Sequence, residues 1–262
     1  MSRICPLFSG SSGNSTYIAS PSGAVLVDAG VSLKRLSAAI TNAGGKIEEL
    51  AAVLITHEHI DHIKGLKALL NSTHAAVIAS CETLEALISA NSIPAHTETR
   101  VIDCSTLEIH GMEISRFATS HDCAGSSGYT FLLPDNRKIS VCTDLGVVTD
   151  TVRKAISGSD AVLLESNHDI DMLKTGPYPN VLKMRIMSDT GHISNNACAA
   201  ELPNLLKNGT KRFILGHLSQ KNNTPLLALS CAEAALIDTG ARNGRDYILT
   251  VAAPSDNRVT VV

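Results

Sequence analysis

The sequence lacks the materials for several kinds of protein. It contains no window of about 18 consecutive apolar residues, which argues against a membrane-spanning helix. The opening run Met-Ser-Arg-Ile-Cys-Pro-Leu-Phe-Ser-Gly is a short apolar strand broken by Pro6 and a Gly/Ser turn. No charged segment there leads into a sustained apolar stretch, so a secretory signal is not expected. Seven cysteines (Cys5, Cys81, Cys104, Cys123, Cys142, Cys198, Cys231) are odd in number, scattered, and never form a Cys-x-x-Cys pair. Neither a disulfide framework nor a thiolate zinc site is indicated, and reduced thiols in a cytoplasmic protein fit best. Aromatic residues make up only 3% of the chain, which leaves little for a base-stacking platform. No Lys/Arg run exceeds two residues and the net charge is −3, so there is no footprint of broad electrostatic binding to long duplexes. A protein that engages only a strand end, with bound cations supplying positive charge, needs no such footprint.

What is present points to a large buried core. At 262 residues and 44% hydrophobic content, the chain is expected to fold as a single domain over residues 1–262. Residues 16–19 and 24–28 are β-prone arms around the turn Ser20-Pro21-Ser22-Gly23, which predicts a hairpin. Apolar positions recur at helical spacing over 32–40 and are closed by Ala43-Gly44-Gly45. Ala51-Ala52-Val53-Leu54-Ile55-Thr56 is a continuous apolar strand of the kind buried on both faces. The pattern then predicts a helix over 62–70, a strand over 75–79 and a helix over 81–90. Strands follow over 106–109, 113–119, 129–133 and 138–143, then a helix over 149–156 and a strand over 161–165. A polar loop is expected around 169–178, followed by helices over 195–208 and 225–239 with a strand over 212–216 between them. Closing strands fall near 247–251 and 258–262. Elements so distributed suggest two packed sheets with helices outside.

The chemistry is concentrated in His57-Glu58-His59-Ile60-Asp61-His62. There His57, His59, Asp61 and His62 put four metal donors within six residues, directly after a buried strand that fixes the first of them. A merely polar loop in a chain with ten histidines is not expected to cluster them this way. Single donors recur at the ends of other predicted strands: His121, Asp144 and His217. A carboxylate such as Asp144 can bridge two cations, because each oxygen takes one metal and the negative charge offsets their repulsion.

In this order the donors resemble the five ligand motifs of the metallo-β-lactamase superfamily. The resemblance implies an α+β fold, an αββα four-layer sandwich of two mixed sheets packed face to face with helices outside. It further implies two divalent metal ions, with His57, His59 and His121 on the first, Asp61, His62 and His217 on the second, and Asp144 between them. Asp28 resembles the family's first motif, which orients the ligand loop. Smaller signatures are Phe8-Ser9-Gly10-Ser11-Ser12-Gly13-Asn14-Ser15, Leu164-Glu165-Ser166-Asn167-His168-Asp169, Ser188-Asp189-Thr190-Gly191-His192-Ile193-Ser194-Asn195 and His217-Leu218-Ser219-Gln220-Lys221-Asn222-Asn223. Together they are similar to the YycJ/WalJ-like branch, which implies phosphodiesterase-like chemistry and 5′-to-3′ exonuclease action on DNA. The partner implied is a nucleic acid strand end, DNA before RNA, or a small phosphodiester. Where the family commonly carries Glu-Pro, this sequence has Gly125-Ser126-Ser127, so its substrate-facing rim differs.

Within that reading Asp61 is expected to orient the attacking water. The leaving oxygen needs a proton, and a histidine outside the donor set is its natural source, since an ordinary imidazole titrates near ~6.5. His192 is the first candidate and His168 the second, the latter also as a substrate contact. Asn14, Ser15 and their neighbours are expected to offer backbone N–H groups to a phosphate. Zinc, manganese and iron all accept donors of this kind. A thioester or lactone hydrolase is the alternative within the fold, and a non-catalytic binding module the alternative outside enzymes. Oligomeric state is not legible in the sequence.

Overall fold

A computed structural model describes every residue except Cys104, Asp256 and Asn257. The first half of the chain forms β1 (Arg3–Phe8), β2 (Ser15–Ser20), β3 (Gly23–Val27), α1 (Leu33–Asn42), β4 (Leu50–Leu54), α2 (Ile60–Ile63), α3 (Leu66–Leu70), β5 (Ala76–Ala79), α4 (Cys81–Ser89) and β6 (Thr99–Val101). The second half forms β7 (Leu107–Ile109), β8 (Met112–Ala118), β9 (Ser127–Leu132), β10 (Lys138–Cys142), α5 (Asp150–Ile156), β11 (Ala161–Glu165), α6 (Ile170–Thr175) and α7 (Asn180–Ile186). It closes with α8 (Asn195–Lys207), β12 (Arg212–Gly216), α9 (Pro225–Ile237), β13 (Ile248–Val251) and β14 (Thr260–Val261).

The strands make two seven-stranded sheets, ordered β14-β1-β2-β3-β4-β5-β6 and β13-β12-β11-β10-β9-β8-β7. Each is mixed in the same way. β3 to β6 are parallel in the first and β10 to β13 in the second, and the remaining neighbours pair antiparallel. Alternation of side chains along the strands produces three core layers. Val25, Val27, Ala52, Leu54 and Ile78 of one sheet meet Ile114, Phe131, Val141, Leu163 and Ile214 of the other. Leu26, Val53 and Val77 face outward onto α1, α3 and α4 through Leu36, Leu69 and Leu87, while Val162, Leu164 and Phe213 face Val152, Leu202 and Leu236 of α5, α8 and α9. This is the four-layer sandwich that the sequence reading anticipated.

Two expectations are corrected. The helix predicted over 62–70 is two short helices, α2 and α3, interrupted at Gly65. A Cβ on Gly65 would sit 1.9 Å from the carbonyl oxygen of Val31, and its N–H is taken by Ala29, so the chain is pinned to the preceding loop at this point. The expected polar loop holds α6, started by Asp169 Oδ1 accepting the Met172 N–H, and the unanticipated α7 follows it. The strand β6 was also not anticipated. Its three residues are all exposed at the sheet edge, so they carry no burial pattern. Among the described residues no helix is long and apolar enough to cross a membrane.

Candidate metal centre

The carboxyl ends of parallel strands from both sheets converge. Asp28 follows β3, His57 lies just past β4, Asp144 just past β10, Glu165 ends β11 and His217 follows β12. Asp28, Asp144 and His217 leave their strands in the left-handed conformation, with φ of 62°, 59° and 55°. This is an uncommon state for residues other than glycine, and it turns each side chain out of the sheet plane toward the others. His59 stands at the start of α2, and Asp61 and His62 occupy its first turn.

Ligand atoms of His57, His59 and His121 lie within 4.8 Å of one another, and so do those of Asp61, His62 and His217. Asp144 joins His57 and His62 in a third such group, between the first two. All seven donors predicted from the sequence are therefore brought together. The remaining ring nitrogens of His62, His121 and His217 are held from behind, as metal-binding imidazoles commonly are. His62 donates through Nδ1 to Asp28 Oδ2 at 2.8 Å, and Asp28 also accepts the N–H and hydroxyl of Thr56. His121 Nδ1 lies 3.0 Å from the carbonyl oxygen of Gly191, and His217 Nδ1 lies 2.7 Å from Glu165 Oε1.

A resident cation fits this arrangement on its own terms. Among the described residues, Nε2 of His57, Nε2 of His217 and Oδ2 of Asp144 are buried with no hydrogen-bond partner. Buried polar atoms of this kind are costly unless something takes them up, and nitrogen and oxygen donors gathered in such groups suit divalent transition metals. Among the described residues no cysteine joins a donor group. Burial pushes the Cys123 thiol up to about 12 and the Cys142 thiol well above its usual range, so both stay neutral.

The electrostatics divide the histidines. Burial lowers the pKa of His57 and His121, which leaves both neutral with lone pairs exposed to a cation. Burial also opposes the charge on His62 and His217, but nearby carboxylates outweigh it. Asp144 and Asp28 lift His62 to about 9, and Asp144 with Glu165 lifts His217 to about 10. In turn, the burial that would raise Asp144 is overcome by His217, His62 and His57, which hold it well below the usual carboxylate range.

The cluster opens into a cleft of about 270 Å³. His59, Asp61, His121, Asp144, His192 and His217 line one side, and Tyr178, Leu182, Arg185 and Ile186 from the α7 region line another. His192 Nδ1 lies 2.8 Å from Glu165 Oε1, the same oxygen that holds His217. Two sequence expectations are placed elsewhere. His168 is buried and does not line this cleft, its backbone bridging to Ser194. Ser15 is fully buried and donates its hydroxyl to the carbonyl of Asp28. Of the backbone donors expected to meet a phosphate, three are already used, while Ser11 of the same loop lines the cleft. Asn14 N–H goes to the Asp61 carbonyl at 2.7 Å, Gly13 N–H to Gly10, and Gly10 N–H to the Asn14 side chain. Asn14 instead supports the donors, its Nδ2 lying 3.3 Å from Asp61 Oδ2 and 3.0 Å from His62 Nε2. Sequence reasoning quoted Glu165 only within a family signature, and it did not single out Arg185 or Tyr178, which line the cleft.

Fold and donor geometry together define a metallohydrolase of the β-lactamase type, and comparison with known proteins agrees. The sequence profile of the family described as Beta-lactamase superfamily domain matches residues 24–218. The chain is 36% identical to Exodeoxyribonuclease YycJ of Bacillus anthracis over 92% of its length and 91% of that protein. It is also 36% identical to Exodeoxyribonuclease WalJ of Streptococcus pneumoniae, covering 85% of this chain and 83% of that one. The chain belongs to the β-lactamase superfamily and, within it, to the YycJ/WalJ branch. Among solved structures, the metallo-β-lactamase fold protein YhfI from Bacillus subtilis superposes with a TM-score of 0.74 at 16% identity, covering 100% of both chains. Zn(2+)-bound PqqB from Methylobacterium extorquens superposes with a TM-score of 0.73 at 17% identity, covering 99% of this chain and 100% of that one. These two likenesses speak to the fold alone.

Proposed function

We propose that this protein is a metal-dependent hydrolase that cuts phosphodiester bonds in DNA from the 5′ end. The observation that carries the reading is the set of seven converging donors, three of whose buried atoms have no hydrogen-bond partner among the described residues, in a chain whose relatives bear exodeoxyribonuclease names. His57, His59 and His121 would hold one divalent ion, and Asp61, His62 and His217 a second, with Asp144 shared. Bound there, such ions supply positive charge to a phosphoryl group and make hydroxide available from water near neutral pH.

The chain's own groups do the rest. Asp61 lines the cleft with its carboxylate steadied by Asn14, and it accepts a hydrogen bond from the attacking water. Glu165 fixes the His192 ring through Nδ1, which leaves Nε2 to carry the proton that the leaving oxygen takes. The pair resembles a carboxylate-oriented general acid, and the burial of Glu165 keeps that orientation rigid. Zinc or manganese, a cytoplasmic location and a single domain spanning the chain belong to the same reading. The free thiols of the described cysteines accord with that location. The thioester or lactone alternative is not favoured, because the relatives' names point to nucleic acid.

The experiment is degradation of end-labelled single- and double-stranded DNA with zinc, with manganese and with chelator, beside His59→Ala. Stepwise shortening from the 5′ end that requires both metal and His59 is the expected result. Metal-loaded protein inert on every nucleic acid would overturn it.

A further inference from the structure

We propose that Arg185 and Tyr178, on and just before α7, form a subsite for the phosphate that flanks the scissile one and for the nucleoside between them. The proposal rests on the nuclease reading and adds the residues that recognise a polyphosphate strand. Arg185 is the only lysine or arginine among the residues lining the cleft. Its guanidinium grips Asp122, with Nη2 2.8 Å from Asp122 Oδ1 and Nε on the other carboxylate oxygen. The same Oδ1 lies 3.5 Å from His121 Nε2, so a single carboxylate oxygen spans the guanidinium and the metal-donor cluster. A phosphate one sugar away from the scissile group is offered the same two-pronged contact that Asp122 now occupies, since the guanidinium fork matches either anion. The exchange costs little, because both partners of the ion pair are substantially exposed.

The backbone that carries Arg185 is locked to the reacting side of the cleft. The carbonyl of Ile186 accepts the N–H of His192, and the carbonyl of Arg185 accepts the N–H and hydroxyl of Ser188. Gly191 has no side chain because a Cβ there would lie 2.2 Å from the Arg185 carbonyl oxygen. Arg185 is therefore held in register with His192, as a group that positions substrate must be. Tyr178 is the only aromatic residue besides histidine that lines the cleft, and it gives a nucleoside a face to pack against. Ile60, 69% exposed on α2, and Leu182 of α7 line the same cleft and add apolar surface suited to a base. A substrate with one phosphate has nothing for this subsite to hold.

The test measures binding of metal-loaded protein to phosphorothioate oligonucleotides bearing either a 5′-phosphate or a 5′-hydroxyl, by fluorescence anisotropy, for wild type, Arg185→Gln, Arg185→Lys, Tyr178→Phe and Tyr178→Ala. Arg185→Gln should weaken binding by roughly tenfold or more, with Arg185→Lys in between. Tyr178→Phe should bind as wild type and Tyr178→Ala more weakly. A loss confined to the 5′-phosphorylated strand makes the flanking phosphate the terminal one, and an equal loss on both strands makes it an internal one. Either supports the subsite. Wild-type affinity in Arg185→Gln, or a loss that Arg185→Lys does not restore and that comes with lower metal content or melting temperature, would overturn it. Binding is read without cleavage, so a protein that binds through Arg185 yet cuts no DNA would sink the nuclease reading alone.

Discussion

Glu165 and His192 are joined at 2.8 Å through a carboxylate that is wholly inaccessible to solvent. The same oxygen holds His217 at 2.7 Å, so one buried charge sets the orientation of a metal donor and of the proposed proton donor. Burial alone would raise the Glu165 pKa, but His192 and His217 outweigh it and bring it to about 2. Its other oxygen accepts the N–H groups of Leu145 and Ile193.

Glu165→Gln should therefore do damage on two fronts. An amide cannot accept two imidazoles on one side and two backbone N–H groups on the other, so one of its own N–H groups is left facing a donor. Metal affinity should fall by about 10- to 100-fold, with a comparable loss of activity in protein resaturated with metal. Competitive chelator titration and initial rates on resaturated protein measure the two separately. Wild-type values in both would mean that Glu165 is only a packing residue.

His192→Ala separates proton donation from metal binding. His192 is not among the seven proposed ligands, so metal content should stay at the wild-type level while turnover on DNA falls by roughly 10²- to 10⁴-fold. Bis-p-nitrophenyl phosphate should be hit much less, because its leaving group departs as a stabilised anion that needs no proton. Equal losses on both substrates would contradict a role as general acid.

The candidate metal donors were legible in the sequence because their identity is their chemistry, and because they follow strands whose apolar runs are visible, His59, Asp61 and His62 at one helix turn after β4. The two sheets were legible for the same reason. Glu165 was not, since a carboxylate at the end of an apolar strand reads as the point where the strand meets water, and here it meets two histidines. The α7 region was hidden by Gly176, Pro177 and Pro179, which read as loop although Pro179 stands at the position just before the helix. The fate of the Asn14 N–H depends on Asp61, 47 residues away, a contact that no local pattern contains.

Metal-free protein should lose stability as pH rises above 6.5. His62 and His217 are raised from 6.5 to about 9 and about 10 in the folded chain by neighbouring carboxylates. Groups whose folded pKa lies above the unfolded value stabilise the fold fully below 6.5 and cease to do so as pH climbs through 9 to 10. Glu165 acts at the other end, its contribution present above its ordinary 4.5 and lost as pH falls toward about 2. Burial works the other way on His57 and His121, whose lowered pKa values cost stability as pH falls below 6.5, so chelator-treated protein should melt highest near pH 6.5 and progressively lower toward pH 10. Metal competes for the same nitrogens, so its stabilising effect should grow over the alkaline range. Thermal melts with and without chelator across pH test both halves. A chelated protein that melts higher at pH 9 than at 6.5 would refute this assignment.

Gly30 and Gly158 provide a matched pair in which close approach and backbone strain are separated. Gly30 does not have a positive φ, so alanine suits its backbone, yet a Cβ there would lie 1.8 Å from the Asp61 carbonyl oxygen and 2.5 Å from the Asn14 nitrogen. Both obstacles are main chain and cannot rotate away. Gly158 is the converse, with φ of 71° and nothing within 4 Å of a built Cβ. Gly158→Ala should cost about 1–2 kcal/mol of stability with metal affinity unchanged, because only the left-handed conformation is penalised. Gly30→Ala should push the Asp61 turn away from His62 and His217, costing about 1–3 kcal/mol in overpacking and weakening metal binding as well. Denaturant melts and metal titrations on the two variants distinguish the mechanisms. If Gly30→Ala loses stability but binds metal like Gly158→Ala, the Gly30 contact is only a packing constraint and does not set the position of Asp61.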